Sequence, residues 1–332
     1  MNRIVLGLSG GVDSAVSAKL LQADGWSVHG LYLDIGAPGG AEEARSAADS
    51  VGVPLTVLDI RAALEAHVCA PFAAAYRRGE TPNPCVLCNP AVKFDALCRT
   101  ADALGASHVA TGHYARAEGG ALYRGMPAND QSYMLCRLRR SQLARLVLPL
   151  GGYEKRQVRA LARELGLPVA SKPDSMEICF IPANDYVAWL EGRGLTPRPG
   201  SFVRGGVPLG SHGGVHRWTV GQRIPGVYGG EKLYVRAIDP ETGEIEVCPD
   251  AELLRTEVRA REFNWLVDPP AGAVAGSLKV RHTKKNEVPC TAAPLPDGTV
   301  RFACGAPVRA PAPGQSAVLY DGDRVLGGGF IV

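Results

Sequence analysis

The first 180 or so residues alternate apolar runs with segments of helical period. Residues 3–8 form an apolar run that predicts a strand. Over 13–24, Val12, Ala15, Val16, Ala18, Leu20 and Leu21 recur at helical spacing, and Gly25 stands where such a helix should end. Residues 27–34 read as a second strand, 41–51 as a helix of small residues and 54–60 as a third strand. Helical patterns follow at 62–77 and 91–104, and 107–111 reads as a strand leading into Gly112-His113. Such alternation predicts a parallel sheet with helices on both faces, and in such sheets ligands bind beyond the carboxyl ends of the strands. Ser9, Asp34 and Gly112-His113 all fall at those ends.

The pattern changes after about residue 190. Pro197, Pro199, Gly200, Gly205, Gly206, Gly210, Gly213 and Gly214 crowd together, and short β-rich runs replace helices at 233–238, 244–248, 256–265, 277–281, 299–304 and 316–320. Many short strands punctuated by turns read as small barrels or sandwiches. The expected fold is α/β, with a Rossmann-like parallel-sheet domain over 1–195. Two small mostly-β domains follow, a central one over 196–256 and a C-terminal barrel over 257–332.

Composition narrows the class without naming it. Of 332 residues, 46% are hydrophobic and 21% charged, ordinary for a soluble protein. No apolar run reaches the roughly 18–20 residues that span a bilayer, and the first residues read as a strand rather than a signal peptide. The expectation is a cytoplasmic protein with no membrane partner. The net charge of +3 is too small to mark a nucleic-acid binder, so local charge matters more. The nine cysteines are odd in number and widely spread, which does not read as a disulfide framework.

The first strand runs directly into Ser9-Gly10-Gly11-Val12-Asp13-Ser14 and then a helix. Glycines let backbone N–H groups approach an anion, and the helix N-terminus adds unpaired donors and a favourable dipole. The loop lacks the Gly-Lys-Ser/Thr of a Walker A sequence and the Gly-x-Gly-x-x-Gly of dinucleotide folds. Asp13 is a candidate to hold Mg²⁺ between phosphates, since hard cations prefer such oxygens, or it is only a helix-cap residue. The string resembles the PP-loop of ATP pyrophosphatases, in an adenine nucleotide α-hydrolase-like fold. That resemblance implies ATP cleaved between its α and β phosphates. It places the nucleotide at Gly7, Leu8, Ser9, Gly10, Gly11, Val12, Asp13, Ser14, Leu33 and Gly112.

Further strings sharpen this: Thr81-Pro82-Asn83-Pro84-Cys85-Val86-Leu87-Cys88-Asn89-Pro90, Ala110-Thr111-Gly112-His113-Tyr114, Asp130-Gln131-Ser132-Tyr133, Lys172-Pro173-Asp174-Ser175-Met176-Glu177-Ile178-Cys179, Thr219-Val220-Gly221-Gln222-Arg223 and Pro313-Gly314-Gln315-Ser316-Ala317. In that order they closely resemble the bacterial tRNA-specific 2-thiouridylase (MnmA) family, across residues 4 to about 320. The resemblance implies that ATP adenylates O2 of uridine 34 in the anticodon stem-loop of tRNA. Sulfur carried as a persulfide on Cys179, or sulfide released from it, then attacks C2, and AMP leaves. Cys88 is matched to the nucleophile that ends in a disulfide with Cys179. A sulfur-relay protein or cysteine desulfurase is implied as donor. Lys93 and Lys172 lie close in sequence to these cysteines. Because the two must approach one another, segment 170–190 is expected to move.

Cys85 departs from the family, which commonly has Asp there, a candidate acid or base. It creates Cys85-x-x-Cys88, with Cys179 as a third thiolate. This set resembles the ligands of [4Fe–4S]-dependent tRNA thiolases, in which an open iron can bind sulfide. Persulfide relay and cluster-carried sulfur therefore stand as competing mechanisms, with structural zinc as a blander third. Cys69, Cys98, Cys136, Cys248, Cys290 and Cys304 read as buried apolar residues.

For the RNA, the resemblance implies contacts at Asn83, Pro84, Cys85, His113, Asn129, Asp130, Gln131, Arg281, His282 and Gln315. The family often has Lys where Asn129 stands. Arg137, Arg139, Arg140, Arg145, Lys155, Arg156, Arg159 and Arg163 make 137–163 a candidate phosphate-binding surface, or a solvated helix face. Lys284-Lys285 extend the Arg281-His282 turn. Two other classes remain: a PP-loop synthetase that does not act on tRNA, and a catalytically idle RNA-binding module.

Overall fold

The computed structural model describes residues 2–173, 178–226, 228–283 and 287–332. In chain order the first elements are β1 (Arg3–Gly7), α1 (Val12–Ala23), β2 (Ser27–Asp34), α2 (Gly40–Val51), β3 (Leu55–Asp59), α3 (Arg61–Leu64) and α4 (Ala70–Arg77). Then come α5 (Pro84–Cys88), α6 (Phe94–Ala103), β4 (His108–Ala110), β5 (Ala115–Glu118), β6 (Ala121–Arg124), α7 (Arg140–Leu143), β7 (Leu146–Val147), α8 (Lys155–Glu164) and α9 (Tyr186–Gly192). The remainder is β: β8 (Gly200–Arg204), β9 (Val207–His212), β10 (Tyr234–Ile238), β11 (Ile245–Cys248), β12 (Leu254–Trp265), β13 (Val274–Lys279), β14 (Glu287–Pro294), β15 (Val300–Arg309), β16 (Ser316–Asp321) and β17 (Arg324–Ile331).

The chain divides into two compact units. The first comprises 1–68, 85–176 and 323–326, the second 69–84, 177–322 and 327–332. In the first unit β1 pairs in parallel with β2 and β4, and the sheet order is β3-β2-β1-β4-β7. Ile4, Leu6 and Leu8 bury completely against Val12, Ala15, Val16 and Leu21 of α1. The alternation that predicted a parallel sheet thus produces one, with its first loop at the carboxyl end of the central strand.

Two helical patterns are interrupted. A π turn at Glu65–Cys69 separates α3 from α4, and another at Asn89–Lys93 separates α5 from α6. Proline supplies the reason. Pro71 and Pro90 have no N–H to return to the carbonyls four residues earlier, those of His67 and Val86, so the ladder widens there.

The second unit holds a four-stranded sheet, β10-β11-β8-β9, around Phe202, Ile224, Leu233, Val235, Ile245 and Val247. Its other sheet runs β12-β15-β14-β13-β16-β17, and pairing of β12 with β17 closes these six strands into a barrel. Strand β14, the glycine-rich β17 and the β8–β9 and β5–β6 hairpins had no clear signal in the sequence, because their apolar positions do not alternate cleanly. Among the described residues no helix is long and apolar enough to cross a membrane.

Phe302 is fully buried inside the barrel. Phe302→Ala should cost about 3–5 kcal/mol, as for other large-to-small core changes. The check is an earlier loss of β-unit signal in a guanidinium titration.

Candidate active site

The loop after β1 is built by its glycines. Gly10 has φ +75°. A Cβ there would lie 3.2 Å from the Ala44 nitrogen, so the loop lies directly against the start of α2. Gly11 is extended at the N-cap of α1, with no side chain capping that helix end. Ser14 Oγ donates to the Gly11 carbonyl (3.0 Å) and accepts from the Ser9 N–H (3.2 Å). The two serines brace the turn, while the uncapped helix start leaves N–H donors and the positive end of the dipole directed at the loop. Gly112, after β4, approaches closely as well. A Cβ on it would lie 3.1 Å from Asp13 Cβ and 3.2 Å from the Ser14 nitrogen. Leu8 is buried and its N–H donates to the Leu31 carbonyl, while Leu33 is half-buried at the end of β2.

Asp13 is not a simple cap. Lys155 Nζ donates to both of its carboxylate oxygens at 2.8 Å, and Tyr114 Oη donates to Oδ1 at 2.7 Å. A magnesium ion on Asp13 would have to displace this ammonium, so as folded the residue does not fit an open Mg²⁺ ligand. A second ammonium also reaches the loop. Lys172 Nζ donates to the Gly10 carbonyl (3.1 Å) and pairs with Glu43 (2.6 Å). The sequence showed Lys172 only as a neighbour of Cys179, and Lys155 only as one of a basic run. The fold brings both to the phosphate loop, where each could pass from a carboxylate to a phosphate oxygen.

The three residues 129–131 turn inward. Gln131 Oε1 accepts from the Tyr114 N–H (3.0 Å), and Asp130 Oδ1 accepts from the N–H groups of Gly125 and Ser132 (3.0 Å each). Oriented to satisfy its neighbours, the Asn129 amide oxygen accepts from the Lys155 N–H at 2.6 Å. This segment therefore supports Tyr114 and Lys155, the two residues that hold Asp13. Much of the basic run is likewise engaged within its own unit. Arg139 pairs with Asp95 (2.6 Å), Arg145 with Asp102 (2.7 Å) and Arg156 with Glu154 (2.7 Å). Arg159 donates to the carbonyls of Ala170 and Lys172. Arg139, Arg140, Arg156 and Arg163 are nevertheless exposed, so the segment keeps solvent-facing cationic groups beside these pairings.

His113 stacks on Phe94 with ring centroids 6.1 Å apart, and its Nδ1 shares a hydrogen bond with Thr111 Oγ1 (2.8 Å). Burial first, and then the charge of Lys93, hold its pKa well below the usual 6.5, so the imidazole is neutral at neutral pH.

Cys85 and Cys88 lie three residues apart on α5, hence on one face of it. Cys85 is exposed and Cys88 half-buried, while Val86 between them is fully buried. Beyond them Asn89, buried, donates to the Met134 carbonyl (2.8 Å), and Gln142 donates to the Pro90 carbonyl (2.9 Å). These bonds fix the far end of the cysteine helix. Of the six cysteines expected to be buried, Cys69, Cys136, Cys248 and Cys290 are, but Cys98 and Cys304 are only half-buried, at positions facing partly outward. Burial pushes the Cys136 and Cys290 thiols up to about 12, which makes them poor nucleophiles.

In the second unit Cys179 is exposed on a turn. Its neighbours Ile178, Phe180 and Ile181 pack with Phe72, Tyr76, Leu190 and Trp189. Residues 174–177 of the segment expected to move, and Lys284-Lys285, lie outside the described residues. Arg281 donates to the carbonyls of Val220 (2.7 Å) and Ala310 (3.2 Å), whereas His282 is exposed. Gln315 Nε2 donates to the Thr81 carbonyl at 2.7 Å, two residues before Asn83-Pro84. Among the described residues no three His, Cys, Asp or Glu side chains gather at metal-binding spacing. Cys85 and Cys88 lie in the first unit and Cys179 in the second.

A parallel Rossmann-like sheet carrying this Ser-Gly-Gly loop defines a PP-loop, ATP-utilising protein. Comparison with known proteins agrees. The family models described as tRNA methyl transferase HUP domain, tRNA methyl transferase PRC-barrel domain and aminomethyltransferase beta-barrel domain match residues 2–183, 192–249 and 255–331. A tRNA-specific 2-thiouridylase of Geobacter metallireducens is 41% identical over 99% of this chain and 96% of its own. Those of Heliobacterium modesticaldum and Syntrophotalea carbinolica are each 42% identical over 99% of this chain, covering 92% and 98% of their own. The chain belongs to the tRNA-specific 2-thiouridylase family.

Two outcomes are expected here. Gly112→Ala should force the first turn of α1 away from the loop and weaken ATP binding by about tenfold or more, equal to ~1.4 kcal/mol, as read by calorimetric titration. His113 is the second. Its folded pKa lies below 6.5, so on acidification the unfolded chain takes up this proton first. Stability should therefore fall as pH drops below 6.5, and His113→Gln should remove that part of the loss in melting temperature measured against pH.

Proposed function

We propose that this protein uses ATP to replace O2 of uridine 34 in tRNA with sulfur. The observation that carries the reading is the PP-loop with two ammonium groups beside it, in a chain that also presents solvent-accessible cysteines at Cys85, Cys88 and Cys179. A carbonyl oxygen is a poor leaving group. Transfer of AMP to that oxygen, with pyrophosphate departing, converts it into a good one. The loop N–H groups, Lys155 and Lys172 would take up the negative charge that develops on the phosphates.

The terminal sulfur of a persulfide on Cys179 would then attack C2 of the base. The Cys88 thiolate attacks the inner sulfur and breaks the S–S bond of the persulfide. AMP leaves, and Cys88 and Cys179 end as a disulfide that an external thiol reductant reopens. The persulfide sulfur is supplied by a relay protein or a desulfurase. Asn83, Pro84, Cys85, His113, Asn129, Asp130, Gln131, Arg281, His282 and Gln315 are the proposed RNA-facing set. His113, neutral, can offer an uncharged ring nitrogen to a base. The wording of the family models points to methyl transfer, but an adenylating loop and accessible cysteines suit sulfur transfer. The cluster-carried alternative rests on Cys85-x-x-Cys88 with Cys179 as the third thiolate.

Thiolation of unmodified tRNA, followed by nucleoside mass spectrometry, is the test. Cys88→Ser and Cys179→Ser should each abolish 2-thiouridine while leaving ATP binding intact. Full thiolation by Cys179→Ser would overturn the relay. Anaerobically prepared protein should hold no stoichiometric iron, and iron required for turnover would favour the cluster.

A further inference from the structure

Two cysteines that the sequence offered only as separate apolar residues face each other in the barrel. Strands β14 and β15 pair antiparallel, and their register sets Cys290 directly opposite Cys304. The side chains share the inward face. Along β14 Cys290 and Ala292 are buried, and along β15 Val300 and Phe302 are, with Cys304 next in the same alternation and half-buried. The neighbouring inward pair is Ala292 with Phe302.

Opposite residues of an antiparallel pair have Cα atoms about 4.5–5.5 Å apart, inside the range of roughly 4.4–6.8 Å that a disulfide bridges. The two thiols already sense one another: burial first, and then the adjacent Cys304, raise the Cys290 thiol to about 12. Cys304 Sγ makes a weak contact to the Phe302 carbonyl (3.9 Å), which is little to give up. Neither strand is an edge, since β14 lies between β13 and β15, and β15 between β14 and β12. The opposition therefore holds for as long as the barrel is folded.

We propose that Cys290 and Cys304 are a reversible oxidation site, which a peroxide closes into a cross-strand disulfide. The site uses none of Cys85, Cys88 and Cys179 and does not depend on the reaction proposed for them. Cys304, the more accessible partner, attacks one peroxide oxygen as its thiolate. The O–O bond breaks, a sulfenic acid forms and one water leaves. Cys290 then attacks that sulfur. The S–S bond forms, the S–O bond breaks and a second water carries away the last thiol proton. The two thiols together lose two electrons, which the peroxide gains. Opposite Cβ atoms in a sheet lie about 4.5–5.5 Å apart, slightly wider than the roughly 3.5–4.5 Å of a relaxed disulfide. Closure therefore draws the strands together, and such a bond is readily reopened by an external dithiol.

Trypsin should cut after Lys285, Arg301 and Arg309, which puts the two cysteines on separate peptides, 286–301 and 302–309. The full-length protein is treated with hydrogen peroxide, quenched, alkylated and digested without reductant. A linked peptide pair, lighter by two hydrogens than the two thiol peptides together, should appear with peroxide and vanish after dithiothreitol. Cys290→Ser and Cys304→Ser should each abolish it, and melting temperature confirms that both variants are folded. Exposed Cys179 reports that the oxidant acted. Oxidation of Cys179 with Cys290 and Cys304 both left as free thiols would overturn the proposal. So would sulfinic acid on Cys304 without the linked pair, or a link from either residue to a different cysteine.

Discussion

An uncapped helix start governs the first unit. The N-terminus of α1 has no side chain closing it, because Gly11 occupies the cap and Gly10 turns the chain through a left-handed conformation that places backbone nitrogens outward. A helix end left so is stable only with partners for its N–H groups. Everything around it follows from that demand. Gly112 is small so that the loop after β4 can lie on Asp13 and Ser14, the serines brace the turn, and two lysines stand close with their charge held by Asp13 and Glu43. The two carboxylates hold the ammonium groups beside the loop.

Support for this site reaches well beyond the loop. Gln131 holds the backbone of Tyr114, Tyr114 and Lys155 hold Asp13, and Asn129 meets the N–H that opens α8. The cysteine helix is held in a comparable way. Asn89 and Gln142 fix the chain after Cys88.

Legibility in the sequence varied with the kind of signal. The β1–α1 unit was clear because its apolar spacing, its glycines and its strand-to-helix switch all agree within twenty residues. The helical patterns at 62–77 and 91–104 were legible, but not α5 or the π turns, since the π turns depend on which carbonyl a proline leaves unanswered. Strand β17 was hidden because a glycine-rich run gains its place only by pairing with β12 and closing the barrel. Within the basic run 137–163, the acids that pair with Lys155, Arg139 and Arg145 come from other parts of the chain, Asp13, Asp95 and Asp102, which spacing along the run does not show.

By itself the sequence determined the α/β character of the first domain, the β character of the rest, the anion-binding loop and the family, because each is carried by residues close together in the chain. Only the tertiary structure decided that Lys155 and Lys172 belong to the loop, that Asp13 is a salt-bridge partner, that His113 is neutral, and that Gln315 holds Thr81. Those are matters of charge, burial and hydrogen bonding between residues up to 234 positions apart, and their energies depend on a separation in space that spacing along the chain does not encode.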